Sequence, residues 1–136
     1  GRQSDCRPKV MAMNTTQVGA WAEQMAWLHL QQRGWQLVER NFFCKGGELD
    51  LIVRKGKVLA FVEVKYRKRP TMGGAVASLS PAKQRHLIHS AQVFLQRYPL
   101  LNSLDCRFDL IAISGCDSPH SQVDIQWIDN AFITSG

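Results

Sequence analysis

The stretch GGELDLIVRKGKVLAFVEVKYR, residues 46–67, constrains this chain more than any other. Apolar residues alternate on both sides of Lys55-Gly56, the pattern of two strands joined by a tight turn in which glycine accepts a positive φ. A two-residue turn there predicts strands over 48–54 and 57–66, with Glu48 opposite Glu63, Asp50 opposite Phe61 and Lys65 opposite Gly46. Opposite residues of an antiparallel pair point to one side. One side then collects Leu49, Leu51, Val53, Val58, Ala60, Val62 and Val64 without a polar exception, a set that a one-residue slip would scramble. The other side gathers Glu48, Asp50, Glu63 and Lys65 together with Ile52, Leu59 and Phe61, so the charges share a partly covered face.

Unpaired charge on a covered face is costly and calls for a partner. Side chains directly opposite lie about 5 Å apart at Cβ and diagonal ones about 7–8 Å. Two carboxylates so placed repel by about 2–3 kcal/mol at an effective dielectric near 20. Lys65 offsets part of this and a divalent cation offsets more. Mg²⁺ takes oxygen ligands, keeps several waters and typically uses one or two protein carboxylates. Asp50 and Glu63 can meet at Mg²⁺ or Mn²⁺, with the Val64 carbonyl as a further ligand and Glu48 beside them. Lys65 can orient or deprotonate a water, or stabilise charge building on a transferring phosphate. These are the parts of metal-assisted phosphodiester hydrolysis.

Lys45, Arg54, Arg67, Lys68 and Arg69 supply charge suited to a phosphate backbone; Lys83, near a helix start, reads as a solvated lysine or as a further phosphate contact. Gly46-Gly47 leaves room for a ligand to approach. A Val-Glu-Val-Lys alternation is equally what a strand with one wet face shows, so the motif taken alone is weak.

The rest of the chain frames this hairpin as one domain. Its 136 residues, 45% hydrophobic, can bury a core. Residues 1–13 carry charge but no apolar h-region and read as a flexible leader, with 14–136 as a single domain. No apolar run is long enough to span a membrane. Cys6, Cys44, Cys106 and Cys116 have no metal-like spacing; Cys44 and Cys106 read as small buried hydrophobes. The pattern argues against zinc and for a reduced, cytoplasmic protein. An excess of 17 Lys+Arg over 11 Asp+Glu, +6 in all, favours a polyanionic partner.

Thr15-Thr16 can cap a helix whose apolar positions are Val18, Trp21, Ala22, Met25 and Leu28, with Gly34 as its stop. Residues 35–44 read as a strand with Trp35, Leu37 and Phe43 inward, and 67–79 as a loop. Ser80-Pro81 opens a second helix that runs to Tyr98 on a stripe of Leu87, Ala91, Phe94 and Leu95. Strands follow over 106–113 and, as an outer strand, 123–128. The result is an α/β sandwich around a mixed sheet flanked by helices. Asp109 reads as the partner of a buried Lys or Arg in preference to a satellite of the charged site, His86 and His89 as a solvated helix face, and the four tryptophans as core and edge packing.

Asp50, thirteen residues, then Glu63-x-Lys65 resembles the PD-(D/E)XK signature of restriction-endonuclease-like phosphodiesterases. More closely, the chain resembles the YraN family of small bacterial proteins. The resemblance lies in Gly19-x-x-Ala22-Glu23-x-x-Ala26, Arg40-Asn41, Gly47-Glu48-Leu49-Asp50-Leu51-Ile52, Phe61-Val62-Glu63-Val64-Lys65-x-Arg67, Gly74, Lys83 and Arg107-Phe108-Asp109. It implies an αβββαβ core with an added outer strand and a nuclease-type metal centre at Asp50 and Glu63, with Lys65 beside it. The chain is also similar to archaeal Holliday-junction resolvases, which implies a part for Glu23. Leu49 stands where the wider signature has proline, and Ala22 where the closer family usually has glycine. The expectation is a Mg²⁺- or Mn²⁺-dependent nuclease acting on structured or branched DNA rather than RNA, as a homodimer. The competing expectations are a catalytically silent nucleic-acid-binding module of the same fold and a protein-interaction domain.

Overall fold

The computed structural model of the chain describes residues 13–67, 79–115 and 123–132. The expected leader, apart from Met13, and residues 68–78, among them Lys68, Arg69 and Gly74, lie outside the described residues.

The first helix, α1 (Thr15–Gln31), is capped by Asn14 instead of either threonine. Asn14 accepts from the Gln17 N–H at 2.9 Å, and Gln17 Oε1 accepts from the Asn14 N–H at 3.0 Å. This reciprocal box satisfies two orphan amides. The helix buries Ala22, Ala26 and Leu30, one residue per turn, against the sheet. Two alanines in that row let the helix lie close to the strands, and Trp21, Met25 and Trp27 pack along its flanks.

Five strands follow the expected order: β1 (Gln36–Cys44), β2 (Gly47–Lys55), β3 (Val58–Arg67), then α2 (Pro81–Arg97) and a 3₁₀ turn (Pro99–Ser103), β4 (Asp105–Ser114) and β5 (Asp124–Ile128). The sheet order is β1-β2-β3-β4-β5. β3 and β4 are parallel and every other pair is antiparallel. A parallel neighbour needs a long crossover, and α2 supplies it. Ser80 caps α2 by accepting from the Lys83 N–H, with Pro81 in the first turn. The architecture is a mixed α/β sheet between two helices, consistent with a restriction-endonuclease-like core.

Both faces of the sheet are core. Leu51, Val53, Ala60, Val62, Ile111 and Ile113 pack under α1. Phe42, Leu49, Ile52, Leu59, Phe61, Phe108 and Leu110 pack under α2 with Leu87, Ala91 and Phe94. The face that carries Glu63 is therefore one of the two cores, and the opposite face is not the only apolar one.

The hairpin register differs from the expected one by two residues. Lys55 pairs with Val58 and Ile52 with Phe61, so Gly56 and Lys57 form the turn, with Gly56 at φ +60°. A two-residue shift keeps every side chain on its own face, which is why alternation could not detect it. Carried one step past the last pair, Leu51 with Val62, this register sets Asp50 against Glu63 instead of Phe61.

β1 departs further. Its register against β2 shifts between Leu37 and Glu39, a one-residue bulge at Val38. A bulge exchanges inward and outward positions. Phe43 is 66% exposed, Phe42 takes the core position, and Leu37 stands at the surface. Cys44 is half-buried and Cys106 exposed, so Cys106 is not the buried hydrophobe its apolar neighbours suggested. Gly47 is needed for helix packing: a Cβ there would lie 2.7 Å from Ser90 Oγ on α2. His89 is not simply solvated either, since its Nε2 lies 3.1 Å from the Lys45 carbonyl.

Asp109 has the structural role expected of it. Its Oδ1 accepts from the Asn130 N–H at 2.9 Å and its Oδ2 from Trp127 Nε1 at 2.9 Å, while Arg107 pairs with it at 3.1 Å. One buried carboxylate thus ties β4 to β5 and to the turn beyond. Removing one partner of a buried pair leaves the other uncompensated, so Asp109→Ala is expected to cost about 3–5 kcal/mol in urea unfolding. A loss below about 1 kcal/mol, the level of an exposed pair, would show the bridge to be dispensable.

Candidate metal centre

The site is built where β2 leaves β3. Ladder pairing between the two strands ends at Leu51 and Val62, which leaves β3 beyond this point paired with β4 but without a strand partner on its β2 side. Asp50 supplies one: its Oδ2 accepts from the Val64 N–H at 2.9 Å. The side chain takes over from the backbone ladder, and the carboxylate is drawn into the sheet plane, 8% exposed.

The pleat of β2 breaks at the same residue. Leu49 packs under α2 and Leu51 under α1, although alternation would put them on one face. Across from Asp50, between the pairs Arg40–Leu51 and Phe42–Leu49, stands Asn41 at φ +55°. Asparagine tolerates this left-handed conformation better than most residues, and its occurrence inside a strand is uncommon.

A cavity of about 200 Å³ opens at this break. Gly19, Ala22 and Glu23 line it from α1, Glu48 and Asp50 from β2, Glu63 to Tyr66 from β3, and Lys83 from α2. The structure thus brings Asp50, Glu63, Val64, Lys65, Glu23, Glu48 and Lys83 to one place. Lys45 is exposed in the β1–β2 turn and Arg67 is exposed at the end of β3; neither lines the cavity. Arg54 is used at the hairpin tip, where its Nε donates to the Gly56 carbonyl at 3.0 Å.

Glu63 is 4% exposed. Its Oε2 has no aligned hydrogen-bond donor among the described residues, yet two ammonium groups stand near it, Lys83 Nζ at 2.9 Å and Lys65 Nζ at 3.9 Å. Burial, followed by a hydrogen bond with Glu63 and that residue's charge, pushes the Asp50 carboxyl up to about 9, against the pull of the Val64 N–H. Glu23 is also raised, first by burial and then by the charge of Glu48, while a hydrogen bond from Asn41 and the charge of Arg40 oppose the rise. For Lys83 burial acts downward, but the Glu63 contact and the charges of Asp50 and Glu48 prevail and hold its ammonium above the ordinary value.

The donor set is all oxygen, the chemistry of Mg²⁺ and Mn²⁺. A buried carboxylate oxygen without an aligned donor suits a hard cation, and so does a neighbouring acid that holds a proton for want of one. Among the described residues no three His, Cys, Asp or Glu side chains already stand as a ligand set. Asp50, Glu63 and the Val64 carbonyl are the groups that would hold the ion. Asn41 and the ammonium of Lys83 complete the surroundings. The sequence offered Lys83 as a solvated lysine or a phosphate contact and gave Asn41 no site role; the positive φ and the hydrogen bond to Glu23 that mark Asn41 are invisible in the sequence.

The fold and cleft define an α/β protein with a carboxylate–lysine centre at the parting of two central strands. Residues 22–113 match the model of the Uncharacterised protein family UPF0102. The chain is 45% identical over 125 residues to a UPF0102 protein of Janthinobacterium sp. (strain Marseille), covering 92% of each. It is 43% identical over 121 residues to one of Pseudomonas putida (strain GB-1), covering 89% of this chain and 97% of that one. It is 46% identical over 114 residues to one of Herminiimonas arsenicoxydans, covering 84% of this chain and 85% of that one. The chain belongs to the UPF0102 family, the YraN family of the sequence resemblance.

The raised Asp50 carboxyl has a consequence for stability. Between the unfolded value near 3.8 and the folded value of about 9, the folded chain holds a proton that the unfolded chain has released. Stability of the metal-free protein therefore falls as pH rises through that window. Asp50→Asn keeps an acceptor for the Val64 N–H without the charge. With chelator present, the variant is expected to be more stable than wild type at pH 8 by on the order of 1–3 kcal/mol, and by less at pH 5. Thermal unfolding at the two pH values checks this; a margin independent of pH would overturn it.

Proposed function

We propose that the chain is a divalent-metal-dependent nuclease of the PD-(D/E)XK type that hydrolyses phosphodiester bonds in structured or branched DNA. The observation that carries this reading is the convergence of Asp50, Glu63 and Lys65 in one cleft, with both carboxylates buried. When bound, Mg²⁺ or Mn²⁺ supplies Lewis-acid stabilisation of a phosphoryl oxygen. Asp50 and Glu63 hold it, with Glu23 and Glu48 at the rim. Lys65 orients a water for attack and faces the charge that builds on the phosphate. The chain's excess of six positive charges favours a polyanion, and its likeness to junction resolvases favours branched DNA and a homodimer. Unpaired Cys44 and Cys106 suit a reducing cytoplasm.

A second reading, a binding module without catalysis, is favoured by the absence of a ready-made three-ligand set among the described residues. Salt-dependent DNA binding that survives Asp50→Asn, with no cleavage by wild type, would establish it.

The test is a panel of junction, flap and single-stranded substrates with Mn²⁺. Asp50→Asn and Glu63→Gln are expected to lower cleavage by on the order of a hundredfold or more, and Lys65→Ala by about 10²–10³-fold, as for loss of one transition-state contact. Intact substrates after long incubation with wild type would sink the enzymatic reading. Because Asp50 must give up its proton to ligate, calorimetry near pH 7 in buffers of different ionisation enthalpy is expected to read release of about one proton per ion.

A further inference from the structure

Lys83 stands where a helix does not favour a cation. It occupies the first turn of α2, three residues after the Ser80 cap, in a turn that contains no acidic side chain. The free amides and the macrodipole make positive charge unfavourable there. The reason for the lysine lies across the cleft. Its Nζ is 2.9 Å from Glu63 Oε2, an ångström closer than Lys65 Nζ at 3.9 Å. The lysine of the expected motif is thus the looser partner of the acid it was paired with.

The contact joins an ammonium to a buried carboxylate oxygen, and both hydrogen bonding and charge bind the two. A hard cation would meet the same oxygen. Asp50 and Glu48 also act on Lys83 through their charges. Its backbone is fixed by the Ser80 hydroxyl at 3.1 Å, while its side chain is 33% exposed at the cleft. A flexible four-carbon stem on a fixed Cα can swing its head without moving the helix.

We propose that the Lys83 ammonium holds the cation position of this site in the metal-free protein, and that a divalent ion entering beside Asp50 and Glu63 displaces it toward the substrate phosphate. The idea rests on the metal-site reading above and adds a resident competitor to it. Lys83 is then a counter-ion and positioning residue: it balances the buried Glu63 carboxylate until the ion arrives, then serves as a point charge for phosphate.

Calorimetric titration and Mn²⁺ electron paramagnetic resonance on the full chain, without DNA, test this apart from activity. Lys83→Met is expected to bind Mn²⁺ about tenfold tighter than wild type, as expected when a competing charge of this order is removed. Lys83→Arg, which keeps the charge, is expected to bind no tighter. Asp50→Asn in the Lys83→Met background is expected to abolish the gain, which places the ion at the same acids. Metal-free Lys83→Met is expected to melt below wild type. Mn²⁺ binding by wild type and Lys83→Met with equal affinity, both folded by circular dichroism, would overturn the displacement while leaving the metal site standing. Binding by Lys83→Met alone would support it. Binding by neither at millimolar Mn²⁺ would remove the metal site and the displacement together.

Discussion

The hydrogen bond from the Val64 N–H to Asp50 Oδ2 is the contact on which the site depends. β2 and β3 part after Leu51 and Val62, and a parted hairpin leaves backbone amides that must be satisfied. A side chain that reaches across to do so is fixed in place by the same need. The carboxylate that closes the ladder is thereby buried beside a second one, Glu63, which follows Leu59 and Phe61 at alternate positions of β3. An edge of secondary structure becomes a place where two acids are forced together.

Such a pair is relieved by the proton that Asp50 holds and by cations nearby. The fold brings them from two directions: Lys65 from further along β3 and Lys83 from the first turn of α2. The second helix reaches the site because the β1–β2 turn lets it in, through Gly47, whose missing side chain leaves space for Ser90. On the other side α1 comes close on its alanine row and carries Glu23 to the cleft rim. Two helices on opposite faces of one sheet therefore both line the cavity at the break between its strands.

β1 contributes through its irregularities. The bulge at Val38 and the left-handed Asn41 turn the strand so that Phe42 enters the α2 core and Asn41 reaches Glu23. Left-handed asparagine in a strand costs conformational energy that persists only where the surroundings fix it. Here the surroundings are the pairs on either side and the acid on α1. The irregular residues of β1 and β2 stand opposite each other, so the distortion is shared and the pairing continues to Cys44 and Gly47.

Much of this was legible in the chain itself. Period-two alternation over 48–66, the glycine between the runs, the Ser80-Pro81 helix start and the apolar run around Phe108 determine element order, a mixed sheet and a shared face for Asp50, Glu63 and Lys65, because side-chain period and turn chemistry are local properties. The register of the hairpin was not determined: shifts of two residues leave alternation unchanged, and only packing of Ile52 against Phe61 and its neighbours selects between them. The exposure of Phe43, the reversal at Leu49 and the conformation of Asn41 depend on a bulge, which leaves no mark in composition. The place of Lys83 depends on where α2 lies across the sheet. Sequence decided which charges the chain owns, since each is covalently fixed at its place along the chain. Tertiary structure alone decided which of them touch, because contact between distant segments depends on helix position and strand register, and neither is encoded in any short stretch.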